Sequence, residues 1–140
     1  MMRLLASTDF ALRVLLRLGA DPTALTSTEV IAADIGVPRN HVHKLVQDLA
    51  EAGLVRTVRG ARGGVLLARP AAEIGIGAVV RRLEAGQALV ECFRADGGAC
   101  RLAPDCRLRG ALARAREAFL ASLDAVTLAD CLEGGAVLPD

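Results

Sequence analysis

The segment from Pro38 to Ala52 constrains the fold more than any other part of the sequence. Its apolar residues have the i, i+3, i+4, i+7 spacing of a helix that packs one face against a core: Val42, Leu45, Val46 and Leu49. Polar residues repeat with the same spacing, shifted by two positions, and therefore point away from that core: Asn40, His43, Lys44 and Gln47. Gly53 is suited to end the helix. The segment is predicted to form a helix with one buried face and one polar, positively charged face.

Two shorter helices are predicted to precede this segment. The first runs from about Thr8 to Gly19, where apolar residues recur at helical spacing and Ser7 or Thr8 can cap the start. The second runs from Thr26 to Asp34, because Thr26 and Glu29 have the spacing of a capping box. A turn at residues 36–38 separates it from the third helix, so the sequence predicts a helix-turn-helix.

A basic hairpin is predicted to follow the helix-turn-helix. Two short strands, Leu54–Val58 and Val65–Ala68, flank a glycine-rich loop that contains Arg59 and Arg62. The complete pattern predicts a winged helix-turn-helix that binds double-stranded promoter DNA. The alternative without DNA binding is a helical domain whose third helix has a solvated polar face.

The DNA-binding prediction assigns different roles to the helix and to the hairpin. A recognition helix presents its first turns to base edges in the major groove, and the candidates there are Arg39, Asn40, His43, Lys44 and Gln47. In the hairpin, Arg59 and Arg62 are candidates for contacts with the DNA backbone or with a narrow minor groove. The net charge of the chain is only +1, but residues 36–70 carry six positive against two negative side chains. This distribution indicates a localised anion-binding face.

The second half of the chain is predicted to be helical around a cysteine-containing loop. A fourth helix covers Ile76–Ala85, a long helix runs from about Pro104 to Leu123, and one or two turns follow at Thr127–Leu132. The predicted fold class is mostly α, with a two-stranded wing and a long C-terminal dimerisation helix. The predicted organisation is a DNA-binding domain (1–85), a cluster-binding loop (86–106), dimerisation and C-terminal helices (104–132) and a flexible tail (133–140).

Three of the four cysteines lie close together in the sequence, as Cys92-x7-Cys100-x5-Cys106. Zinc sites usually contain closely paired cysteines and need four ligands, whereas three thiolates with an outside fourth ligand suit an iron–sulfur cluster. Cys106 is predicted in the first turn of the long helix, where the helix dipole favours a thiolate. Reduced, packed cysteines and a thiol-based redox switch remain open alternatives. Cys131, in an apolar setting, is predicted to be a core residue.

Several motifs resemble the IscR/NsrR family of winged-helix iron–sulfur transcription regulators, over nearly the whole chain. Segments similar to its first helix, recognition helix and wing are residues 7–13, 37–55 and 59–68. The most specific similarity is to the nitric-oxide-sensing members and lies in Leu89-Val90-Glu91-Cys92, in Cys100-x-Leu102 and in Cys106-x-Leu108-Arg109-x-Ala111-Leu112.

The resemblance implies a homodimer joined through the long helix, with one iron–sulfur cluster per subunit and nitric oxide as the signal. It also implies that Asp9 of the partner subunit joins Cys92, Cys100 and Cys106 as the fourth ligand. This ligand set favours a 4Fe-4S cluster over a 2Fe-2S cluster. Loss of the cluster would then change the spacing of the two recognition helices.

Other functions are predicted to be less suitable for this sequence. The chain has no apolar run long enough for a membrane span and no signal peptide, so a cytoplasmic location is expected. It has no C-x-x-C pair and no catalytic constellation, so we do not expect an enzyme. A regulator of the same fold that senses redox state or iron–sulfur supply is the main alternative. A thiol- or zinc-based adaptor without DNA binding is a third.

Overall fold

The computed structural model describes residues 3–102 and 105–134, which form a mostly helical fold with one small antiparallel sheet. In the described ranges the helices and strands are α1 (Ala6–Ala20), α2 (Thr28–Ile35), α3 (Arg39–Glu51), β1 (Val55–Val58), β2 (Gly64–Leu67), α4 (Ile76–Leu83), α5 (Arg107–Asp124) and α6 (Leu128–Leu132). Short 3-10 helices occur at Ala71–Glu73 and Glu91–Phe93. This order confirms the predicted winged-helix fold class. None of the helices in these ranges has the length and apolar character needed to cross a membrane.

The core of the DNA-binding half lies between α1, α2 and α3. All four apolar residues predicted for the inner face of α3 are buried: Val42, Leu45, Val46 and Leu49. They pack with the apolar face of α1, where Val14 and Leu15 are completely buried. Helix α3 ends as predicted, because Gly53 adopts a φ of 73° and the N–H of Leu54 donates to the carbonyl of Leu49.

The predicted helix caps are wrong at two positions. Ser27, not Thr26, caps α2, and its hydroxyl accepts a hydrogen bond from the N–H of Val30 at 3.2 Å. Helix α1 begins at Ala6, and neither Ser7 nor Thr8 caps it; Thr8 is buried inside its first turn. Where two hydroxyl residues follow each other in the sequence, either could cap the helix, and the tertiary structure decides between them.

Thr26 instead extends the sheet of the wing. Its N–H donates to the carbonyl of Val65 at 3.0 Å, and its carbonyl accepts from the N–H of Val65 at 2.8 Å. Strands β1 and β2 pair in antiparallel register, with Val55 opposite Leu67 and Val58 opposite Gly64. The wing is therefore attached to the segment that precedes α2, which fixes its direction relative to the helix-turn-helix.

Helices α4, α5 and α6 close the other end of the core. Arg81 of α4 forms hydrogen bonds with both Glu117 and Asp124 of α5, the shortest at 2.7 Å. Gly77 allows α4 to approach the end of α5 closely, since a Cβ atom there would lie 2.6 Å from the backbone nitrogen of Asp124. Helix α6 is capped by Thr127, which forms a capping box with Asp130.

Three expectations for the second half of the chain need correction. Helix α5 begins at Arg107, so Cys106 is its N-cap and does not lie in its first turn; the predicted start at Pro104 falls outside the described residues. Cys131 is exposed and is not a core residue. The sequence also predicts one apolar stripe along α5, but this stripe divides, because Leu123 packs against the core while Leu108 and Phe119 remain exposed. The stripe consists of Leu108, Leu112, Ala115, Phe119 and Leu123. Most of the predicted tail, residues 135–140, also lies outside the described residues.

Candidate DNA-binding face and cysteine pocket

The polar face predicted for α3 is exposed along its whole length. Arg39, Asn40, His43, Lys44 and Gln47 are all exposed, on the side of α3 opposite its buried residues. The apolar spacing explains this arrangement, because burial of one helix face turns residues two positions away towards solvent. The face presents cations, amides and an imidazole, which are groups that hydrogen-bond to base edges and phosphates.

Two of these five side chains already have acidic partners in the free chain. Arg39 pairs with Glu29 of α2 at 3.0 Å, and Lys44 pairs with Asp48 one turn along α3 at 3.0 Å. Both cations are highly exposed, so each pair contributes little to stability. Exchange of the carboxylate for a phosphate or a guanine therefore costs little free energy.

The wing presents two further cations from a tight loop. Arg59 and Arg62 are exposed at the tip of the hairpin. The loop depends on glycine at Gly60, which has a φ of 110°, and at Gly63, where a Cβ atom would collide with the carbonyl oxygen of Val58. A positively charged tip with small residues can approach a phosphate backbone closely.

The three clustered cysteines line one pocket. Cys92 lies in a 3-10 helix, Cys100 in the loop that follows it and Cys106 at the N-cap position of α5, yet all three contribute to a pocket of about 740 Å³. Its other walls include Leu108, Leu112 and Arg109 from the first two turns of α5, and Leu102 from the loop. All four cysteines of the chain are free thiols. The pocket therefore combines soft sulfur donors, an apolar wall and a cation.

The cysteines are not arranged around a single ion. Within residues 3–102 and 105–134, no three His, Cys, Asp or Glu side chains are close enough together to hold one metal ion. Asp9, predicted as a fourth ligand, is on α1 and is not among the residues that line the pocket. Its carboxylate accepts two hydrogen bonds from Arg13, at 2.8 and 3.1 Å.

A network of polar contacts shapes the loop between Cys92 and Cys100. The Glu91 carboxylate accepts the N–H of Ala99 at 3.2 Å, and Asp96 accepts the N–H of Gly98 at 2.9 Å. Arg94 donates two hydrogen bonds to Asp96. The Gly98 N–H and then the Arg94 guanidinium lower the pKa of Asp96 below its usual value, so this carboxylate is charged at neutral pH. These contacts form a turn at residues 96–98.

An aromatic contact attaches this loop to α5. The guanidinium carbons of Arg109 and Arg116 lie 5.6 and 5.4 Å from the centre of the Phe93 ring, within the range of cation–π attraction. No pattern in the sequence indicates a role for Phe93 or a contact with these arginines. Their separation of 16 and 23 positions hides the contact, although Phe93 is one of only three aromatic residues in the chain.

The helix-turn-helix, the basic wing and the exposed polar face define a winged-helix DNA-binding regulator. The family profile Rrf2, described as "Iron-dependent Transcriptional regulator", matches residues 4–134. The chain therefore belongs to the Rrf2 family and is a DNA-binding transcription regulator. This confirms the family predicted from the sequence motifs.

Relatives and solved structures of the same family are similar over almost the whole chain. The HTH-type transcriptional regulator NsrR of Geobacillus kaustophilus is 51% identical over 98% of this chain and 94% of its own length. The NsrR of Halalkalibacterium halodurans is 41% identical, over 94% and 90%. Among solved structures, T. potens IscR has a TM-score of 0.75 at 25% identity, covering 94% of this chain and 87% of its own. The oxidised form of Staphylococcus aureus CymR has a TM-score of 0.76 at 28% identity, over 96% and 98%.

Proposed function

We propose that this chain is a homodimeric regulator, acting as a repressor, whose affinity for promoter DNA is controlled by an iron–sulfur cluster that reacts with nitric oxide. The observation that carries the proposal is the shared pocket of Cys92, Cys100 and Cys106. The NsrR name of the two relatives supports nitric oxide as the signal. Because the proposed binding partner is promoter DNA, we also propose that the protein acts in the cytoplasm and has no catalytic role.

The donor set fits an iron–sulfur cluster. Thiolates are the usual ligands of such clusters, and three thiols line this pocket without converging on one ion. Cys106 lies at the N-cap of α5, where the unpaired N–H groups of the first turn carry partial positive charge. Arg109, which lines the pocket, offsets negative charge. When bound, the cluster supplies iron that nitric oxide can attack, and three cysteines with one outside ligand favour the 4Fe-4S type.

The fourth ligand is proposed to come from a second copy of the chain. Asp9 is exposed on α1, away from the cysteine pocket of its own chain, and is accessible to a partner. Helix α5 has no buried residue along its length in the single chain, and Phe119 and Leu108 are exposed on it. An apolar face of this kind is suited to pack against the same helix of the partner.

This arrangement connects the pocket to the recognition helices. Leu108 and Leu112 belong to both the pocket wall and α5, so a change in the pocket is transmitted to the helix proposed to join the subunits. Half-sites on DNA lie about one helical turn apart, and both α3 helices must dock at once. A small rotation at the dimer interface therefore reduces DNA affinity.

Sensing of redox state or iron–sulfur supply is the second candidate function. The observation that favours it is the exposure of Cys100, which makes this thiol accessible to oxidants. Staphylococcus aureus CymR, which has a similar fold, has been solved in an oxidised form, and this supports the second candidate.

Anaerobic purification followed by an absorption spectrum and quantification of iron and sulfide tests the proposal. We expect brown protein with charge-transfer absorption and about one cluster per chain. Separate exposure to nitric oxide and to oxygen then discriminates the two candidates: nitric oxide alone is expected to release DNA. Colourless, iron-free protein that binds its promoter fully would contradict the proposal. If oxidation abolished binding and nitric oxide did not, the second candidate would be supported.

A further inference from the structure

The residues that directly precede Cys92 and Cys100 are joined by a hydrogen bond. Glu91 Oε2 accepts the backbone N–H of Ala99 at 3.2 Å, across eight positions of sequence. The contact closes the loop between the two cysteines, both of which line the shared pocket. The bond joins the residue before Cys92 to the residue before Cys100. It therefore fixes the register of the two cysteines, meaning the position of one relative to the other across the loop.

Further contacts inside the loop support the same closure. Arg94 lies between two carboxylates: it pairs with Asp96 at 2.9 Å and with Glu91 at 3.7 Å. Asp96 in turn accepts the N–H of Gly98 and thereby stabilises the turn. The three charged side chains are exposed, so each ion pair alone is weak. Together they connect both ends of the loop to its centre.

A close backbone contact completes the closure at Gly98. This residue has a φ of 63°, and a Cβ atom on it would collide with the carbonyl oxygen of Glu91. The neighbouring Gly97 has a φ of 81° but open space where its Cβ atom would lie. Substitution of each glycine in turn therefore distinguishes the free-energy cost of a strained backbone from the cost of disturbing the contact with Glu91.

We propose that Glu91 is a positioning residue that sets the register of Cys92 and Cys100 before any cluster binds. The inference rests on the proposed function for its biological purpose, but its physical content concerns the metal-free chain. A pre-formed pair of thiols loses less conformational freedom when a ligand bridges them. Removal of the Glu91 acceptor is therefore expected to weaken any ligand that must bind both thiols at once.

The affinity of the metal-free chain for phenylarsine oxide, which bridges two thiols with loss of water, tests this role. The experiment uses a Cys106→Ala, Cys131→Ala background, in which Cys92 and Cys100 are the remaining cysteines. Glu91→Ala is expected to weaken the arsenical about fivefold, the factor for one hydrogen bond. Glu91→Gln retains a carbonyl acceptor for the N–H of Ala99 and loses only an exposed ion pair, so a loss of about twofold is expected.

The glycine pair provides the matched control. Gly98→Ala is expected to weaken the arsenical more than Gly97→Ala, because both strain the backbone but only the first collides with Glu91. Alkylation of each thiol by iodoacetamide should proceed at the same rate in Glu91→Ala as in the background. An equal rate shows that the loss of arsenical affinity comes from the relation between the thiols and not from exposure of either one.

The outcomes separate this inference from the proposed function. Equal arsenical affinity in Glu91→Ala and the background would overturn the inference, and so would equal losses in Glu91→Ala and Glu91→Gln. Iron and sulfide contents after anaerobic reconstitution of the otherwise unchanged protein are measured in parallel. If the protein bound no cluster while the arsenical results held, the proposed function would fail and the positioning role of Glu91 would stand.

Discussion

At the scale of single residues, the side chains proposed to contact DNA differ in their location and in their ion pairs within the free chain. Asn40 is exposed at the start of α3, while Arg39 beside it is paired with Glu29. Arg59 and Arg62 lie at the tip of the wing, outside the recognition helix. From these positions we propose base recognition by α3 and phosphate contact by the wing, since phosphate contacts position a protein and base contacts give specificity.

Substitution of Asn40 is expected to reduce discrimination between base pairs. Asparagine can form two hydrogen bonds with adenine, and loss of such a contact costs about 1–3 kcal/mol of discrimination. Arg59→Ala and Arg62→Ala should instead weaken binding to all sequences and lower the slope of log affinity against log salt by about 1 each. Fluorescence anisotropy with the operator and with unrelated duplexes, at several salt concentrations, measures both effects. An equal loss of specificity in Asn40→Ala and Arg59→Ala would contradict these roles.

At the scale of helices, the close approach of α4 to α5 is predicted to make Gly77 difficult to replace. A Cβ atom at this position would contact the backbone and side chain of Asp124, so the two helices would have to separate. Gly77→Ala is expected to destabilise the protein by about 1–3 kcal/mol, the usual cost of overpacking. Gly75→Ala is the matched control, because its nearest atom lies 4.0 Å away. Urea denaturation measures both, and an equal stability of the two variants would be inconsistent with the close contact.

The same pair of helices is predicted to lose stability in acid. The hydrogen bonds from Arg81 lower the pKa of Glu117 and of Asp124 in the folded protein. A lowered pKa contributes stability that is complete above the unfolded value, near pH 4, and is lost as the pH falls through the folded value. Thermal unfolding followed by circular dichroism from pH 3 to 7 should therefore show a steeper decline in the wild type than in Arg81→Ala. Parallel declines would show that this network does not contribute.

The helices also show how much of the fold could be predicted from the sequence. The two faces of α3 were predicted because periodicity is a local signal, and the structure confirms the burial of one and the exposure of the other. The role of Thr26 could not be predicted, because its pairing with Val65 joins residues far apart in the chain. The exposure of Cys131 was missed for a related reason: apolar neighbours in sequence do not show whether a face of α6 is covered.

The candidate site likewise combines features that could be predicted from the sequence with features that could not. The three cysteines were recognisable because they lie close together in the sequence, and the structure places them on one pocket. The contact of Phe93 with Arg109 and Arg116 and the hydrogen bond from Ala99 to Glu91 depend on how the loop folds back. Such contacts between a loop and a helix leave no periodic pattern in the sequence.

At the scale of the whole molecule, the exposed face of α5 is expected to join two chains. Phe119→Glu should place a charge in this face, giving monomers and a large loss of DNA affinity because both half-sites can no longer bind together. Ala121→Glu adds the same charge about 200° further around the helix, where no dimer contact is proposed, and serves as the control. Light scattering coupled to size-exclusion chromatography measures the mass. A Phe119→Glu variant that remained dimeric would contradict this interface.

Control of DNA binding by the cluster requires a connection between the cysteine pocket and the spacing of the two recognition helices. The most direct test compares the affinity of cluster-loaded and cluster-free protein for one duplex, selected by the loaded protein from a random library, anaerobically and at one fixed salt concentration. We expect the loaded protein to bind about 5- to 150-fold more tightly, the usual range for coupling between two sites. Equal affinities of the fully loaded and the cluster-free protein for that duplex would contradict the account.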